Sequence, residues 1–295
     1  MKFETLEIAR DGAVATIWMN RPDVHNAFNE LLIAELTAAC GALDADESVR
    51  AVVLAGRGKS FSAGADLNWM RRAAEASVEE NLQDARKLAG MLRTLAEMNK
   101  PTIARVHGAA LGGGMGLASA CDICIAGTGA VFATSEVKFG IIPSAISPYV
   151  LRAIGARQAG RYFQTAERIS AARAVELGLA HEAVAPDALD AAVQDVLAAL
   201  LQGGPRSQAA AKDLIRAVAN QPITDALVED TARRIATLRS TPEAKEGLAA
   251  FLDKRPAAWV LGCLQSRLAG ARSTNKRATE VAPTEKRETK CSTRS

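Results

Sequence analysis

The first hydrophobic runs along the chain alternate with polar residues, as β-strands do. The stretches 3–9 (FETLEIA) and 13–19 (AVATIWM) flank the turn Arg10-Asp11-Gly12, which predicts a β-hairpin. From about Asn29 to Leu43 the apolar residues instead recur every three or four positions, which predicts a helix. The pattern thus changes from strand to helix early in the chain.

Further apolar runs alternate with helical patterns up to about Gly127. The runs 51–56 (AVVLAG), 102–108 (TIARVHG) and 122–127 (DICIAG) predict buried strands. A long helical pattern, from LNWMRR to about Met98, separates the first two runs. A glycine cluster and a short helix separate the second two. Strands separated by helices favour parallel pairing through right-handed crossovers, so we predict an α/β protein.

From Ala156 onward the pattern is nearly all helical, through AAVQDVLAALL, PRSQAAAKDLIRAVA and EAKEGLAAFLDKRP. After Trp259 the periodicity fades into a polar, charged sequence that is typical of disorder. We therefore predict an α/β core at 1–200, a helical region at 201–260 and a disordered basic tail at 261–295.

Composition and charge narrow the functional classes. Apolar residues make up 48% and charged residues 23% of the 295 residues, as in ordinary globular proteins. The net charge is +3, but 261–295 holds eight Lys/Arg and three Asp/Glu, which leaves the rest of the chain at −2. Only the tail is therefore basic enough to attract nucleic acid or an anionic membrane.

The chain shows no targeting signal in its first residues. They are acidic where a signal peptide is apolar, and no run approaches the length of a membrane span. We therefore expect a cytoplasmic protein.

Cysteine and histidine give little support for a disulfide framework or a metal site. The five cysteines are irregularly spaced. Cys121 and Cys124 form a C-x-x-C, but in a predicted buried strand rather than at the start of a helix, which disfavours redox and zinc sites. Three scattered histidines (His25, His107 and His181) do not indicate a metal cluster, and we expect none.

Two glycine-containing segments resemble nucleotide sites but lack the required spacing. The segment GRGKS (56–60) has Val53 where a phosphate-binding loop needs glycine. The segment GGGMG has Leu117 where a dinucleotide fingerprint needs its last glycine. A nucleotide site is therefore disfavoured.

The loops SAGAD (62–66) and LGGGMG (111–116) indicate another kind of anion site. Each follows a predicted parallel strand and precedes a predicted helix. If the strands are neighbours, one backbone N–H from each loop can converge on one oxygen, as in an oxyanion hole. Either loop alone would fit close packing or a turn with positive φ. Together, the two favour stabilisation of an anion that forms during a reaction.

Four segments carry a family resemblance: FSAGADLNWM, HGAALGGGMGLASACDICIA, FATSEVKFGIIP and QTAERISAARAVELGLAHEAV. From about Phe3 to Trp259 the chain resembles the crotonase, or enoyl-CoA hydratase/isomerase, superfamily. SAGADLNWMRR and PSAISPYVLRAIG most resemble bacterial methylglutaconyl-CoA hydratases of leucine breakdown. The resemblance implies a ββα spiral core, a helical C-terminal trimerisation region and a homotrimer or homohexamer. It also implies acyl-CoA substrates and no metal or redox cofactor.

The resemblance also implies site residues. The backbone N–H groups of Ala65 and Gly113 would bind the thioester oxygen, and Glu136 would be the acid/base. Arg21 and Lys59 would lie near the CoA phosphates, and Phe251 and Lys254 would reach a neighbouring subunit's CoA. The remaining residues implied for CoA and acyl binding are Val24, Ala63, Asp66, Leu67 and Asn68, with Ala65 and Gly113 again among them.

Hydratases of this family often use two glutamates, and this chain has one. Glu136 lies in an apolar run, where desolvation should raise the pKa of its carboxyl group toward a range useful for proton transfer. The second position is Gly116, and neither Ser119 nor Cys121 is basic enough to replace a glutamate. One carboxylate fits hydration, a 1,3-proton shift as in enoyl-CoA isomerases, decarboxylation, or binding without catalysis.

Among these alternatives we predict hydration by Glu136. We also expect Gly116 to leave space at the pocket floor for a branched or carboxylated acyl group such as that of 3-methylglutaconyl-CoA. A second glutamate would repel such a substrate's own carboxylate.

Two other functional classes are alternatives to an enzyme. Some eukaryotic proteins that resemble this chain are associated with AU-rich RNA, and the tail is basic. However, the tail has no aromatic residue to stack on a base, which disfavours nucleic-acid binding. A non-catalytic acyl-CoA-binding subunit is the other alternative.

Overall fold

The computed structural model describes residues 2–260, and the predicted tail at 261–295 lies outside this range. The strands are β1 (Leu6–Asp11), β2 (Val14–Met19), β3 (Ala51–Gly56), β4 (Thr102–Val106), β5 (Ala109–Leu111), β6 (Ile123–Gly127), β7 (Val131–Ala133), β8 (Ile169–Ser170) and β9 (Glu182–Val184). The helices are α1 (Glu30–Ala45), α2 (Leu67–Glu75), α3 (Val78–Glu97), α4 (Gly113–Ala120), α5 (Ser147–Thr165), α6 (Ala171–Leu177), α7 (Leu189–Gln202), α8 (Pro205–Val218), α9 (Asp225–Arg239) and α10 (Pro242–Leu252).

Nine strands form two sheets in the described part of the chain. The larger has the order β1-β2-β3-β4-β6-β9, and the smaller has the order β5-β7-β8. β1 and β2 form the predicted hairpin, with Leu6 opposite Met19 and Asp11 opposite Val14. All further pairs of the larger sheet are parallel, as predicted.

The larger sheet is covered on both faces. Every residue of β3 is buried, in keeping with its continuous apolar run. On one face α1, α3 and α4 bury the main core, to which Leu32, Leu92 and Met115 contribute. On the other face Leu189, Val193 and Leu197 of α7 cover the sheet. Because the helices cover the two faces of the sheet, a site can form at the loops that follow the carboxyl ends of the strands.

The helical pattern predicted from LNWMRR to about Met98 is confirmed, and it forms two helices, α2 and α3. Ser77 begins the second helix: its side chain accepts from the Glu80 amide, and the Glu80 carboxylate accepts from the Ser77 amide. Such a capping box starts a new helix and interrupts the preceding one.

The prediction of an almost entirely helical second half is incomplete. The short strand β8 joins the smaller sheet, and β9 pairs in parallel with β6 at the edge of the larger one. Strands of two or three residues are too short to show an alternating pattern, so neither is recognisable from the sequence.

The C-terminal helices are tied to the core by buried polar contacts. Lys212 of α8 is 9% exposed; its Nζ lies 2.6 Å from an Asp122 carboxylate oxygen and donates to the Lys100 carbonyl at 3.0 Å. The predicted boundary at residue 200 falls inside α7, and the division into units at 1–200 and 201–260 stays a prediction. None of the helices at 2–260 is long and apolar enough to cross a membrane.

Candidate active site

The two loops singled out from sequence lie side by side. The Ser62 amide donates to the Ala109 carbonyl at 3.0 Å, and the Leu111 amide donates to the Ser62 carbonyl at 2.9 Å. One detail differs from expectation: β5, a strand of the smaller sheet, intervenes between β4 and the glycine cluster. The two loops therefore meet through β5 rather than directly at the end of β4.

Glycine is required where the loops meet. A Cβ on Gly114 would lie 2.3 Å from the Ser62 carbonyl oxygen, and one on Gly113 would lie 2.2 Å from the Phe28 ring. Gly112 adopts φ = 50°, in the left-handed region. Close packing thus explains part of the glycine run, and the same packing brings the two loops together.

The two amides proposed for an oxyanion hole have no acceptor within the described chain. Hydrogen bonds between the Phe28 amide and the Gly64 carbonyl (2.7 Å), and between the Asp66 amide and the Phe28 carbonyl (2.8 Å), hold the backbone on either side of Ala65. The Ala65 amide itself donates to no group at 2–260, and Ala65 is exposed. Gly113 begins α4, so its amide precedes any helical acceptor. Both donors are thus available to a ligand.

Glu136 lies beside the point where the two loops meet. It is the first residue of a short 3₁₀ turn, Glu136–Phe139. Its Oε1 lies 3.0 Å from the point that a Cβ on Gly112 would occupy. Its Oε2 is buried and has no hydrogen-bond partner in the described chain. Burial raises the pKa of this carboxyl group, as the sequence predicts.

Asp66, also predicted for the site, has a structural role in α2. Its side chain caps the helix by accepting from the Asn68 and Trp69 amides at 2.9 and 3.4 Å. It also forms a 2.9 Å ion pair with Arg21, whose guanidinium donates in addition to the Ala27 carbonyl. Burial acts to raise the pKa of Asp66, but these hydrogen bonds and the Arg21 charge outweigh it and lower the pKa.

The other predicted ligand residues fall into two groups. Val24, Lys59, Leu67 and Asn68 are exposed, and Ala63, which is half-buried, donates its amide to the His25 carbonyl at 2.9 Å. The turn that bears Arg21 and Val24 contacts the loop that bears Lys59, since a Cβ on Gly58 would lie 2.8 Å from Pro22 Cβ.

Phe251 and Lys254 are not brought to this region by contacts of their own helix. Both are exposed, in and just after α10, which packs against α9 and the start of α8. Contacts within the described chain thus bring the first group to the candidate site, but not Phe251 and Lys254. The roles of both groups in binding remain predictions.

The expectation of open space at Gly116 is wrong. A Cβ there would lie 2.2 Å from Ile146 Cγ2 and 2.8 Å from Ile146 Cβ. Ile146 is 2% exposed and immediately precedes α5. The volume that a side chain at position 116 would need is therefore already filled. Sequence reasoning missed Ile146, because only the folded chain brings positions 116 and 146 together.

Cys121 and Cys124 are free thiols buried in the core. Burial raises the pKa of both, to about 12 for Cys124, so neither is a thiolate near neutral pH. At 2–260 no group of three His, Cys, Asp or Glu residues is arranged to hold a metal ion.

Comparisons with known proteins identify the family of the chain. The family model described as enoyl-CoA hydratase/isomerase matches residues 9–261. The crystal structure of an enoyl-CoA hydratase from Shewanella pealeana superposes with a TM-score of 0.85 at 43% identity, over 88% of this chain and 97% of that one.

Two curated relatives extend the comparison. A Rhizobium meliloti protein named "Probable enoyl-CoA hydratase" is 39% identical over 87% of this chain and 98% of its own. The crotonyl-CoA hydratase of Syntrophomonas wolfei is 33% identical over 88% of this chain and 99% of its own.

These names support enoyl-CoA hydratase activity, and an acyl-CoA substrate fits the family. The site has two backbone amides without acceptors in the described chain and a carboxylate whose pKa is raised by burial. Both features are compatible with the family that the matches indicate. The chain therefore belongs to the enoyl-CoA hydratase/isomerase family, with the crotonase fold, and is an enzyme of the hydro-lyase type.

Proposed function

We propose that this enzyme adds water across the double bond of a 2-enoyl-CoA thioester, with Glu136 as its only acid/base. The observation that carries the proposal is the buried, unpartnered Oε2 of Glu136, on a carboxylate that lies beside Gly112, where the loop of Ala65 also approaches. A buried carboxylate without a partner lowers stability, which is common where a group must exchange a proton.

In the proposed reaction, Glu136 takes a proton from water while the oxygen of that water bonds to C3. The electron pair of the double bond moves toward the thioester carbonyl, and the amides of Ala65 and Gly113 stabilise the resulting enolate oxygen. Protonated Glu136 then returns a proton to Cα. Protons and electron pairs balance within substrate, water and Glu136, so the step needs no cofactor beyond the coenzyme A that the substrate carries.

As the substrate we propose 3-methylglutaconyl-CoA, with 3-hydroxy-3-methylglutaryl-CoA as the product, a step of leucine breakdown. The sequence resemblance of SAGADLNWMRR and PSAISPYVLRAIG supports this choice. A dicarboxylic acyl group also suits a site whose only acid/base is Glu136, because a second glutamate would repel the substrate's free carboxylate. Extra volume at position 116 no longer supports it, since Ile146 fills that space.

A mass-spectrometric time course with 3-methylglutaconyl-CoA and crotonyl-CoA tests the proposal. The wild type should add one water to the branched substrate faster than to crotonyl-CoA. Glu136→Gln, which keeps the shape of the side chain but cannot accept the proton, should abolish the gain. Absence of water gain from both substrates would refute hydration.

Isomerisation is the second candidate, because one carboxylate is sufficient for a 1,3-proton shift. The time course is therefore run in D₂O. Entry of deuterium into the acyl chain without gain of water would identify an isomerase and contradict the hydratase proposal.

The enzyme is also proposed to work as a homotrimer or a dimer of trimers, with Phe251 and Lys254 reaching a neighbour's coenzyme A. Support comes from large apolar side chains that α8–α10 leave exposed: Ile215, Val228, Leu248 and Leu252, with Phe251 81% exposed. Light scattering should give three or six times the mass of the chain. A monomer would contradict this part of the proposal.

A further inference from the structure

Positions 116 and 146 form a closely packed pair beside the acid/base. The Gly116 amide donates to the Gly112 carbonyl at 3.0 Å, so Gly116 lies one helical turn beyond Gly112 in α4. Gly112 precedes α4, and its Cβ point lies 3.0 Å from Glu136 Oε1. Gly116 lies in the first turn of α4, where its Cβ point meets Ile146 Cγ2. Glu136 and Ile146 thus both pack against the backbone at the start of α4.

Both side chains are anchored by their own elements. The Ile146 carbonyl accepts from the Tyr149 and Val150 amides at 3.1 Å as α5 begins, and the Glu136 carbonyl accepts from the Ile141 amide at 3.2 Å. The 3₁₀ turn that carries Glu136 contacts α5. Both side chains are therefore carried on backbone segments that contact each other.

We propose that Ile146 is a specificity-determining residue: its Cγ2 methyl fills the place of a side chain at position 116 and closes the floor of the acyl site one turn beyond Glu136. The inference rests on the proposed function, which places the reacting carbons beside Glu136. It goes further by naming the side chain that limits branching there. Acyl groups with a methyl branch at C3 fit above this floor, and larger branches meet Ile146.

Position 116 and Ile146 are coupled by the same contact. With Ile146 present, any side chain at 116 overlaps Cγ2, so glycine is the only residue that fits. Removing the Ile146 side chain opens space that an alanine at 116 would fill, and alanine is the better helix former.

The coupling is tested by the melting temperatures of the full chain and its variants. Gly116→Ala alone should lower the melting temperature by several degrees. In the Ile146→Gly background the same substitution should cost nothing or raise the melting temperature. Ile146→Val is the matched control, because valine keeps Cγ2; there Gly116→Ala should remain as costly as in the wild type. An equal effect of Gly116→Ala in all three backgrounds would overturn the pairing.

The specificity role is tested by binding rather than turnover. Titration calorimetry with saturated acyl-CoA thioesters that carry a methyl or an ethyl branch at C3 gives the ratio of the two dissociation constants. Ile146→Gly should shift this ratio about tenfold toward the ethyl compound, the effect typical of one methylene in an apolar pocket. Ile146→Val should leave the ratio within about twofold of the wild type.

An unchanged ratio in Ile146→Gly would overturn the specificity role even if the wild type hydrates enoyl-CoA. Conversely, absence of hydratase activity in the wild type would contradict the proposed function. The binding ratio would still decide whether Ile146 limits the branch, so the two failures are distinguishable.

Discussion

The site contains two carboxylates, Asp66 and Glu136, whose surroundings differ in hydrogen bonding and in their effect on the pKa. On one side, Asp66 is 8% exposed and is held by Arg21 and by the amides that begin α2. On the other side, Glu136 keeps one buried oxygen with no partner among the described residues. The pKa is lowered at Asp66 and raised at Glu136. A carboxylate with hydrogen-bond partners contributes to the stability of the fold, whereas a buried one without partners lowers it; the proposed proton transfer accounts for such a group at Glu136.

The largest expected effect is the loss of kcat when the charge of Glu136 is removed. Glu136→Gln should lower kcat by about two to four orders of magnitude, the usual contribution of general acid–base catalysis, with no loss of melting temperature. Asp66→Asn makes the same chemical change on the other side and should leave kcat within about tenfold of the wild type, since that carboxylate is assigned no proton transfer. Equal losses of kcat in steady-state assays would remove the distinction between the two sides.

The second effect concerns the close approach of the two glycine-containing loops. Gly114→Ala would place a Cβ 2.3 Å from the Ser62 carbonyl and force the loops apart. Misplacing one oxyanion donor should cost roughly 10²- to 10³-fold in kcat. Gly90→Ala is the control: it lies in α3 with no atom within 4 Å of the added Cβ, and should raise the free energy of unfolding by about 0.5–1 kcal/mol. A Gly114→Ala enzyme with full kcat would show that the approach of the loops is not needed for catalysis.

The third effect is a loss of stability when the charge of Asp66 is removed. Asp66→Asn keeps a good N-cap but leaves Arg21 without its ion-pair partner. The free energy of unfolding should fall by about 1–3 kcal/mol, the cost of unsatisfying a mostly buried group. Urea denaturation measures it, and Glu136→Gln under the same conditions should show no such loss.

The smallest effect is the pH dependence of stability, which should have opposite signs on the two sides. Asp66, with its pKa lowered from 3.8, stabilises the fold above that pH, and this stability is lost as pH falls through its folded pKa. Glu136, with its pKa raised from 4.5, favours the protonated fold, so its unfavourable contribution grows as pH rises above that value.

Denaturation between pH 3 and 7 separates these contributions. The deficit of Asp66→Asn should shrink toward low pH. The stability of Glu136→Gln relative to wild type should improve toward neutral pH. Parallel curves for the two variants would contradict the assigned pKa directions.

Much of the site follows from local sequence. The hairpin, the strand 51–56 and the two glycine loops each produce a pattern within a few residues, and the apolar surroundings of Glu136 correctly predict the direction of its pKa shift. What could not be predicted depends on contacts between distant segments. β9 is recognisable only beside β6, and Ile146 gains its role only where α5 meets α4.

The contact between Gly116 and Ile146 also constrains how this sequence can change over generations. A glutamate cannot enter at position 116 while the isoleucine remains, and loss of the isoleucine alone leaves a hole. A carboxylate at position 116 therefore requires a smaller residue at 146 first. The two positions depend on each other, so a change at either one alone is disfavoured.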